Sequence, residues 1–272
     1  MFELKKLRPI KIDDLTRYGR DFDGGYVIPR RCVAQTQALL SFGVNDDWSF
    51  EKDFLQASGG QLFAYDWSAG PELFSKRRRL NLARLPWYLM QRKPAGGLVR
   101  QIIADTRLQK DFWRFFDGQR RVFVKKFIGY AEDEQFTTFD TVFKNLGTIP
   151  QHSIFVKMDI ENWEYRTLPS LAPWLSYVNG LVVEFHELDI CREAFERVVD
   201  LLLRDFYIAH VHGNVSGGWT RGAKVPRVLE LSFINKALLA GQTVEPTTLT
   251  YPVPGLDFSC EKGGADLPLD FS

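Results

Sequence analysis

Several function classes leave marks that this chain lacks. Its three cysteines, Cys32, Cys191 and Cys260, lie far apart in the 272 residues, match no zinc spacing and offer no disulfide framework, which suits a reducing compartment. No apolar run approaches the roughly 18 residues that a membrane span needs. The opening MFELKKLRPIKIDDL is too charged for a signal peptide. An excess of either charge is missing too: the formal net charge is +1, so no global field draws the protein to nucleic acid and any such preference has to be local. There are no internal repeats. These absences predict a cytoplasmic globular protein, and 45% hydrophobic residues suffice for a sizeable core.

Glycine is also scarce where a phosphate-binding turn would need it. Residues 38–67 read ALLSFGVNDDWSFEKDFLQASGGQLFAYDW. An apolar run, Ala38 to Phe42, meets a polar turn; Ser49 can cap a helix with Glu51 in its first turn; a second apolar run ends at Asp66. In open α/β sheets such a unit cradles a nucleotide, the turn bending around it and the acid after the second strand accepting from the ribose hydroxyls. A diphosphate wants several bare glycine amides, but here Gly43 is followed by Asn45, Asp46 and Asp47, whose two carboxylates would repel it. An adenosine-bearing cation or zwitterion fits better, and S-adenosylmethionine is one. The competing reading is an ordinary connection in which Asn and Asp are turn formers. Upstream, Asp23-Gly24-Gly25 signals a turn before the apolar Tyr26-Val27-Ile28. Beyond turning the chain, Gly24 and Gly25 would let the backbone close over the cofactor.

Residues 71–118 carry little strand pattern and read as a helical insertion within one domain spanning 1–272. They mix apolar and aromatic residues with Lys76, Arg77, Arg78, Arg79, Arg84, Arg92 and Lys93, and no acid falls between Glu72 and Asp105. Such a segment suits an acidic glycan, lipid headgroups at the inner membrane face, or a nucleic-acid backbone; the alternative is a cap with a solvated cationic face. Strand and helix then alternate: strands at Val122 to Tyr130, Ser153 to Ile160, GLVVEFHELD, YIAHVHGN and RVLELSFINK, a Pro-broken helix after Glu161, and a helix with Phe195, Val198, Val199, Leu202 and Leu203 on one face. A Gly-rich loop is predicted over Val215 to Lys224, and the Pro- and Gly-rich tail wraps the surface. The pattern is that of an α/β fold, a mostly parallel sheet covered on both faces with an antiparallel edge strand.

Three apolar strands end in groups that a core would not choose. They are Lys157-Met158-Asp159-Ile160-Glu161 with Glu164 beyond, Glu184-Phe185-His186-Glu187, and His210-Val211-His212-Gly213-Asn214. In a parallel sheet all three ends share one edge with the cradle, and alternation puts Asp159 with Glu161 and Glu184 with His186. Carboxylates and imidazoles at this density either supply a general base or hold a divalent metal. His210 reads as structural.

Together DGGYVIP (from Asp23), LLSFGVNDDWSFEKDF (from Leu39), FAYDW (from Phe63), VKMDIENWEYRTL (from Val156), VVEFH (from Val182), HVHGN (from His210) and VPRVLELSFINK (from Val225) resemble the FkbM-type S-adenosylmethionine-dependent methyltransferases. The branch they are most similar to occurs in bacterial surface-polysaccharide biosynthesis. The resemblance implies a Rossmann-like class I methyltransferase core of seven strands and methyl transfer to the oxygen of a sugar hydroxyl. It puts Ser41, Gly43, Asn45 and Asp47 at the cofactor loop, with Asp46 and Ser49 beside them, and Asp66 on the ribose. Asp159 and Glu161 match the family's lysine-(isoleucine or methionine)-aspartate-x-glutamate motif at the transfer site, while Asn162 stands where the family has glycine and Trp163 where it has alanine. His186 or His212 would then be the base, with Asp159, Glu161 and Glu184 orienting the hydroxyl or holding a metal. The acceptor would be a glycan or a nucleotide- or lipid-linked sugar. Two rivals stay open: a non-catalytic binding protein on the same scaffold, and a nucleic-acid methyltransferase using Arg77 to Arg79.

Overall fold

The computed structural model describes residues 4–220, 225–261 and 264–271, apart from the side chain of Ser216. After a 3₁₀ turn at Leu4–Leu7 come strand β1 (Leu15–Tyr18), β2 (Tyr26–Pro29) and helix α1 (Arg30–Gln35). The first two form the antiparallel hairpin that Asp23-Gly24-Gly25 predicts. Then follow β3 (Ala38–Phe42), α2 (Ser49–Ser58) and β4 (Gln61–Tyr65), as the apolar runs require. The insertion is a helical hairpin, α3 (Pro71–Met90) and α4 (Gly96–Phe115). Pro71 opens α3, where its missing N–H costs nothing.

The strand expected from Val122 to Tyr130 is two strands. Sheet strand β5 (Arg121–Val124) stops where Lys126 N donates to the Val124 carbonyl at 2.8 Å, and β6 (Phe127–Ile128) leaves the sheet to pair with β7 (Phe136–Thr137). Helix α5 (Phe139–Asn145), β8 (Ile154–Met158), the single turn α6 (Glu164–Thr167) and a 3₁₀ run at Leu168–Tyr177 come next, the prolines 169 and 173 keeping that run from continuing α6. The last elements are β9 (Val178–Phe185), α7 (Arg192–Leu202), β10 (Phe206–Trp219) and β11 (Pro226–Asn235). Val215 to Trp219, predicted as loop, belong to β10; the loop's Arg221 to Lys224 lie outside the described residues.

Seven strands form one sheet in the order β10-β11-β9-β8-β3-β4-β5. β3, β4, β5, β8 and β9 are parallel, and β11 runs against both neighbours, so the reversed member of the edge pair is the inner one. Every residue of β3, β8 and β9 is buried, because both faces are covered. Leu40, Phe42, Val156 and Val183 pack toward the core under α5 and α7, while Leu39, Phe155 and Val182 pack with Phe50 and Phe54 of α2 and Ile28 of the hairpin. From β3 the chain first builds outward through β4 and β5 and only later returns to add β8 on the other side. The crevice off the carboxyl ends of β3 and β8 is therefore the topological switch point where such sheets bind ligands.

Candidate functional site

A cavity of about 490 Å³ opens at that switch point, within the range of about 300–1,000 Å³ usual for small-molecule sites. Gly43 ends β3 at φ +79°, and a Cβ there would lie 1.6 Å from the Asp159 carbonyl oxygen, so only glycine lets the ends of β3 and β8 approach this closely. The buried Lys157 ammonium donates to the Gly43 carbonyl and fixes the same junction. One wall is apolar: Tyr65, Phe127, Ile128, Phe136 and Trp163, with the Phe136 and Trp163 rings 5.3 Å apart. Asn45, Asp66, Ser68, Asp159 and Glu161 supply the polar lining, and no described lining residue is lysine or arginine.

Of the predicted cofactor residues, Gly43, Asn45 and Asp66 reach this cavity. Asp66 is not a free acceptor. Its Oδ2 accepts from the Val44 and Asn45 amides at 3.0 and 2.8 Å, and its Oδ1 from the Ser68 amide and hydroxyl and the Ala69 amide at 2.7, 2.7 and 3.0 Å. Ser41 lies beneath the loop, donating to Glu51 at 2.5 Å. Burial pushes the Glu51 carboxyl up, and its Oε2 has no hydrogen-bond partner among the described residues.

Asp46, Asp47, Ser49, Gly24 and Gly25 are not brought to the cavity. Asp46 pairs with Arg77 of α3 at 3.2 Å and Asp47 with Arg20 at 2.8 Å, so both carboxylates are neutralised and the predicted repulsion of a diphosphate does not come from them. Asp47 also accepts from the Ser49 amide and hydroxyl, both at 3.1 Å, just before α2, whose N-cap position is Trp48, with no side-chain cap, in place of the predicted Ser49. Gly24 and Gly25 serve the hairpin turn: a Cβ on the first would meet Asp47 Oδ2 at 2.4 Å and on the second the Arg20 carbonyl at 2.0 Å.

The polar strand ends meet as expected, with one exception. His186, just past β9, has Nε2 at 3.6 Å from Glu184 Oε1, 3.7 Å from Glu161 Oε2 and 3.8 Å from Asp159 Oδ1. Its Nδ1 lies 3.0 Å from Oε1 of the fully buried Glu164. The Tyr26 hydroxyl stands 3.2 Å from both Asp159 Oδ2 and Glu184 Oε2, and Asn214 donates to Glu184 Oε1 at 3.0 Å. Burial alone would push the imidazole down, but the Glu164 hydrogen bond and the charges of Glu164, Glu184 and Asp159 raise it to about 9. Burial, then Asp159 and Glu230, hold the Glu184 carboxyl well above the usual range.

His212 is the exception. Its ring nitrogens are taken by Glu230 and Asp266, each at 3.1 Å, and against the effect of burial these carboxylates push it up to about 11. It fastens the tail to β10 and β11, as His210 does through Asp257 at 2.7 Å. Both His212 ring nitrogens are held by carboxylates, which takes that residue out of the predicted base role, whereas His186 Nε2 has no hydrogen-bond partner among the described residues.

Glu161 and Asn162 adopt φ +53° and +76°. The latter suits an asparagine, which enters the left-handed region more readily than most side chains. Sequence reasoning placed Glu164 beyond the first polar end without giving it a role, and it missed the aromatic wall. Their signals were an acid opening a helix that packs under the sheet, and aromatic residues in a segment too short to hold a core.

No protein-family model and no curated sequence matches the chain. Among solved structures, the Methanococcus jannaschii fibrillarin pre-rRNA processing protein aligns at 10% identity over 75% of this chain and 68% of that one, with a TM-score of 0.35. Precorrin-6y C5,15-methyltransferase from Geobacter metallireducens aligns at 9% over 76% and 87%, TM-score 0.35. The plantazolicin methyltransferase BpumL, solved with SAH, aligns at 9% over 76% and 83%, TM-score 0.34. Likeness at these values carries no argument about what this chain binds, and the fold rests on its own strand order: a Rossmann-like, mostly parallel α/β sheet.

Proposed function

We propose that the protein is an S-adenosylmethionine-dependent O-methyltransferase whose acceptor is a sugar hydroxyl. The observation that supports this reading is the cavity at the switch point. Its described lining offers three carboxylates, an aromatic wall and no lysine or arginine, a surface that favours an adenosine-bearing cation over a diphosphate. The residues fit the donor. Tyr65, Phe127, Phe136 and Trp163 offer ring faces for an adenine, and Asp159 and Glu161 offset positive charge. Asn45 and Ser68 add polar groups for the ribose, where Asp66 is occupied. The bound donor would supply an electrophilic methyl group on a positively charged sulfur, which leaves as a neutral thioether.

Transfer to oxygen needs the hydroxyl held in line and its proton accepted as the new carbon–oxygen bond forms. Asp159 holds the hydroxyl, since it belongs to both the cavity and the cluster. Glu161 takes the proton: its carboxylate is 85% exposed, free to swing, and the strained backbone there points to a functional constraint. The sugar as acceptor rests on the sequence resemblance. The helical hairpin supports docking of that acceptor at an anionic membrane face. Leu80, Trp87, Leu89 and Met90 are exposed beside Arg79, Arg84, Arg92 and Lys93, a combination suited to lipid headgroups. No helix among the described residues is long and apolar enough to cross a membrane. A nucleic-acid acceptor loses support because Arg77 is tied to Asp46 and Asp105 and Arg78 to Gln109. The test is incubation with methyl-labelled S-adenosylmethionine and extracted glycan fractions. Label in a glycan fraction, lost in Glu161→Gln, is expected; label in nucleic acid, or in nothing, would overturn the assignment.

A further inference from the structure

We propose that Asp159 Oδ1, Glu184 Oε1 and His186 Nε2 form a three-ligand site for one divalent first-row cation at the cluster end of the cavity. One ligand atom from each of these three residues lies within 4.8 Å of the other two. The imidazole is held in one orientation. The Glu164 carboxylate can only accept from Nδ1, so it leaves Nε2 to face the cluster, and the Tyr165 hydroxyl donates to the His186 carbonyl and fixes the backbone beneath. Nε2 belongs to a residue only 8% exposed, and no described atom stands within hydrogen-bond distance of it. Glu184 Oε1 and Asp159 Oδ1 stand 3.6 and 3.8 Å from Nε2. Such separations suit ligands of one cation, since bonds of about 2.0–2.2 Å opened at tetrahedral or wider angles set ligand atoms nearly this far apart.

The surroundings are built like an outer coordination shell. Each carboxylate turns one oxygen to Tyr26, at 3.2 Å, and the other toward His186. Asn214 holds Glu184, and Glu164 holds the imidazole, the carboxylate–histidine arrangement that fixes a metal-binding tautomer. Two carboxylates and one imidazole favour Mn²⁺, Fe²⁺ or Zn²⁺ over Ca²⁺ or Mg²⁺. Three protein ligands leave open positions toward the cavity, and Glu161 stays free beside them. A cation there would take the acceptor's hydroxyl oxygen and lower the pKa of its proton; that role rests on the proposed function, while the ion site itself does not.

Chelator-stripped protein titrated with MnCl₂ and ZnCl₂ in a calorimeter tests the site, with pulsed EPR of the Mn²⁺ form. One cation per chain is expected, with a ¹⁴N coupling that disappears in His186→Gln. Asp159→Asn and Glu184→Gln, each checked for an unchanged circular dichroism spectrum, should weaken binding at least tenfold. Glu164→Gln, a positioning variant, should keep the ¹⁴N coupling while losing about 10–100-fold in affinity. No binding, or binding that survives all three ligand substitutions, overturns the inference and leaves His186 a protonated counter-ion only. Titrating S-adenosylmethionine into the stripped protein separates the two proposals. Donor binding without cation binding sinks the metal site alone, and cation binding without donor binding sinks the methyl-transfer reading alone.

Discussion

Asp66 distinguishes a clamp from a ribose acceptor, and the substitution Asp66→Asn separates the two by stability. Its carboxylate oxygens accept from four backbone amides, of Val44, Asn45, Ser68 and Ala69, and from the Ser68 hydroxyl, in a residue 3% exposed. An asparagine is the same size but replaces one acceptor oxygen with an NH₂ donor. Whichever way the amide turns, at least two backbone N–H groups face a donor. Each buried N–H left without a partner costs about 1–3 kcal/mol, so the variant should lose about 2–6 kcal/mol with no ligand present. Urea unfolding at neutral pH, followed by tryptophan fluorescence and circular dichroism together, measures the change. A loss below about 0.5 kcal/mol, the range of an ordinary surface substitution, combined with a large loss of donor affinity, would refute the clamp and restore Asp66 to the ribose.

Gly43→Ala should cost more than about 3 kcal/mol in the same assay, because φ is +79° and the new Cβ meets backbone that cannot move aside; an unchanged urea midpoint would contradict the close approach of β3 and β8. The tail contacts carry a pH signature. His212 is raised to about 11, so it contributes stability fully below its ordinary value of about 6.5, and that contribution drains away as pH climbs toward 11. Wild type should therefore lose up to about 1.4 kcal/mol per pH unit relative to His212→Gln in that window; parallel curves would refute it. Asp257, lowered against the effect of burial by His210, acts at the other end: its contribution is present above the usual aspartate range and is lost as pH falls through its depressed value. At the hairpin, reversing Arg79, Arg84, Arg92 and Lys93 to Glu should reduce flotation with vesicles of anionic lipid at least tenfold, at about 1 kcal/mol for each basic residue near the surface. Unchanged flotation would remove the membrane from the account. Arg77 is kept because its pair with Asp46 ties the hairpin to the core and its pair with Asp105 ties α3 to α4.

Periodicity and punctuation made the scaffold legible. The unit from Ala38 to Asp66, the amphipathic α7 and the polar ends at Asp159, Glu184 and His186 follow from local rules, and the structure joins those ends because parallel strands share a carboxyl edge. What could not be read locally depends on partners distant in sequence. Asp46 and Asp47 look alike in the turn, yet they answer to Arg77 and Arg20. His212 resembles a catalytic imidazole until Asp266 arrives from the tail. The aromatic wall at Phe127 and Phe136 depends on the chain leaving the sheet after Val124, where two lysines gave no turn signal. The tight spot after Glu161 shows the opposite: a local preference suffices at Asn162, whose φ of +76° is one that asparagine accepts.

The central claim is that the cavity at the ends of β3 and β8 takes a methyl donor. Calorimetry with S-adenosylmethionine, S-adenosylhomocysteine and NAD addresses it most directly. One site per chain is expected for the first two, weakened in Trp163→Ala and Asp159→Asn, and none for the diphosphate. Binding of NAD in preference to S-adenosylmethionine, or binding of none of the three, would contradict it.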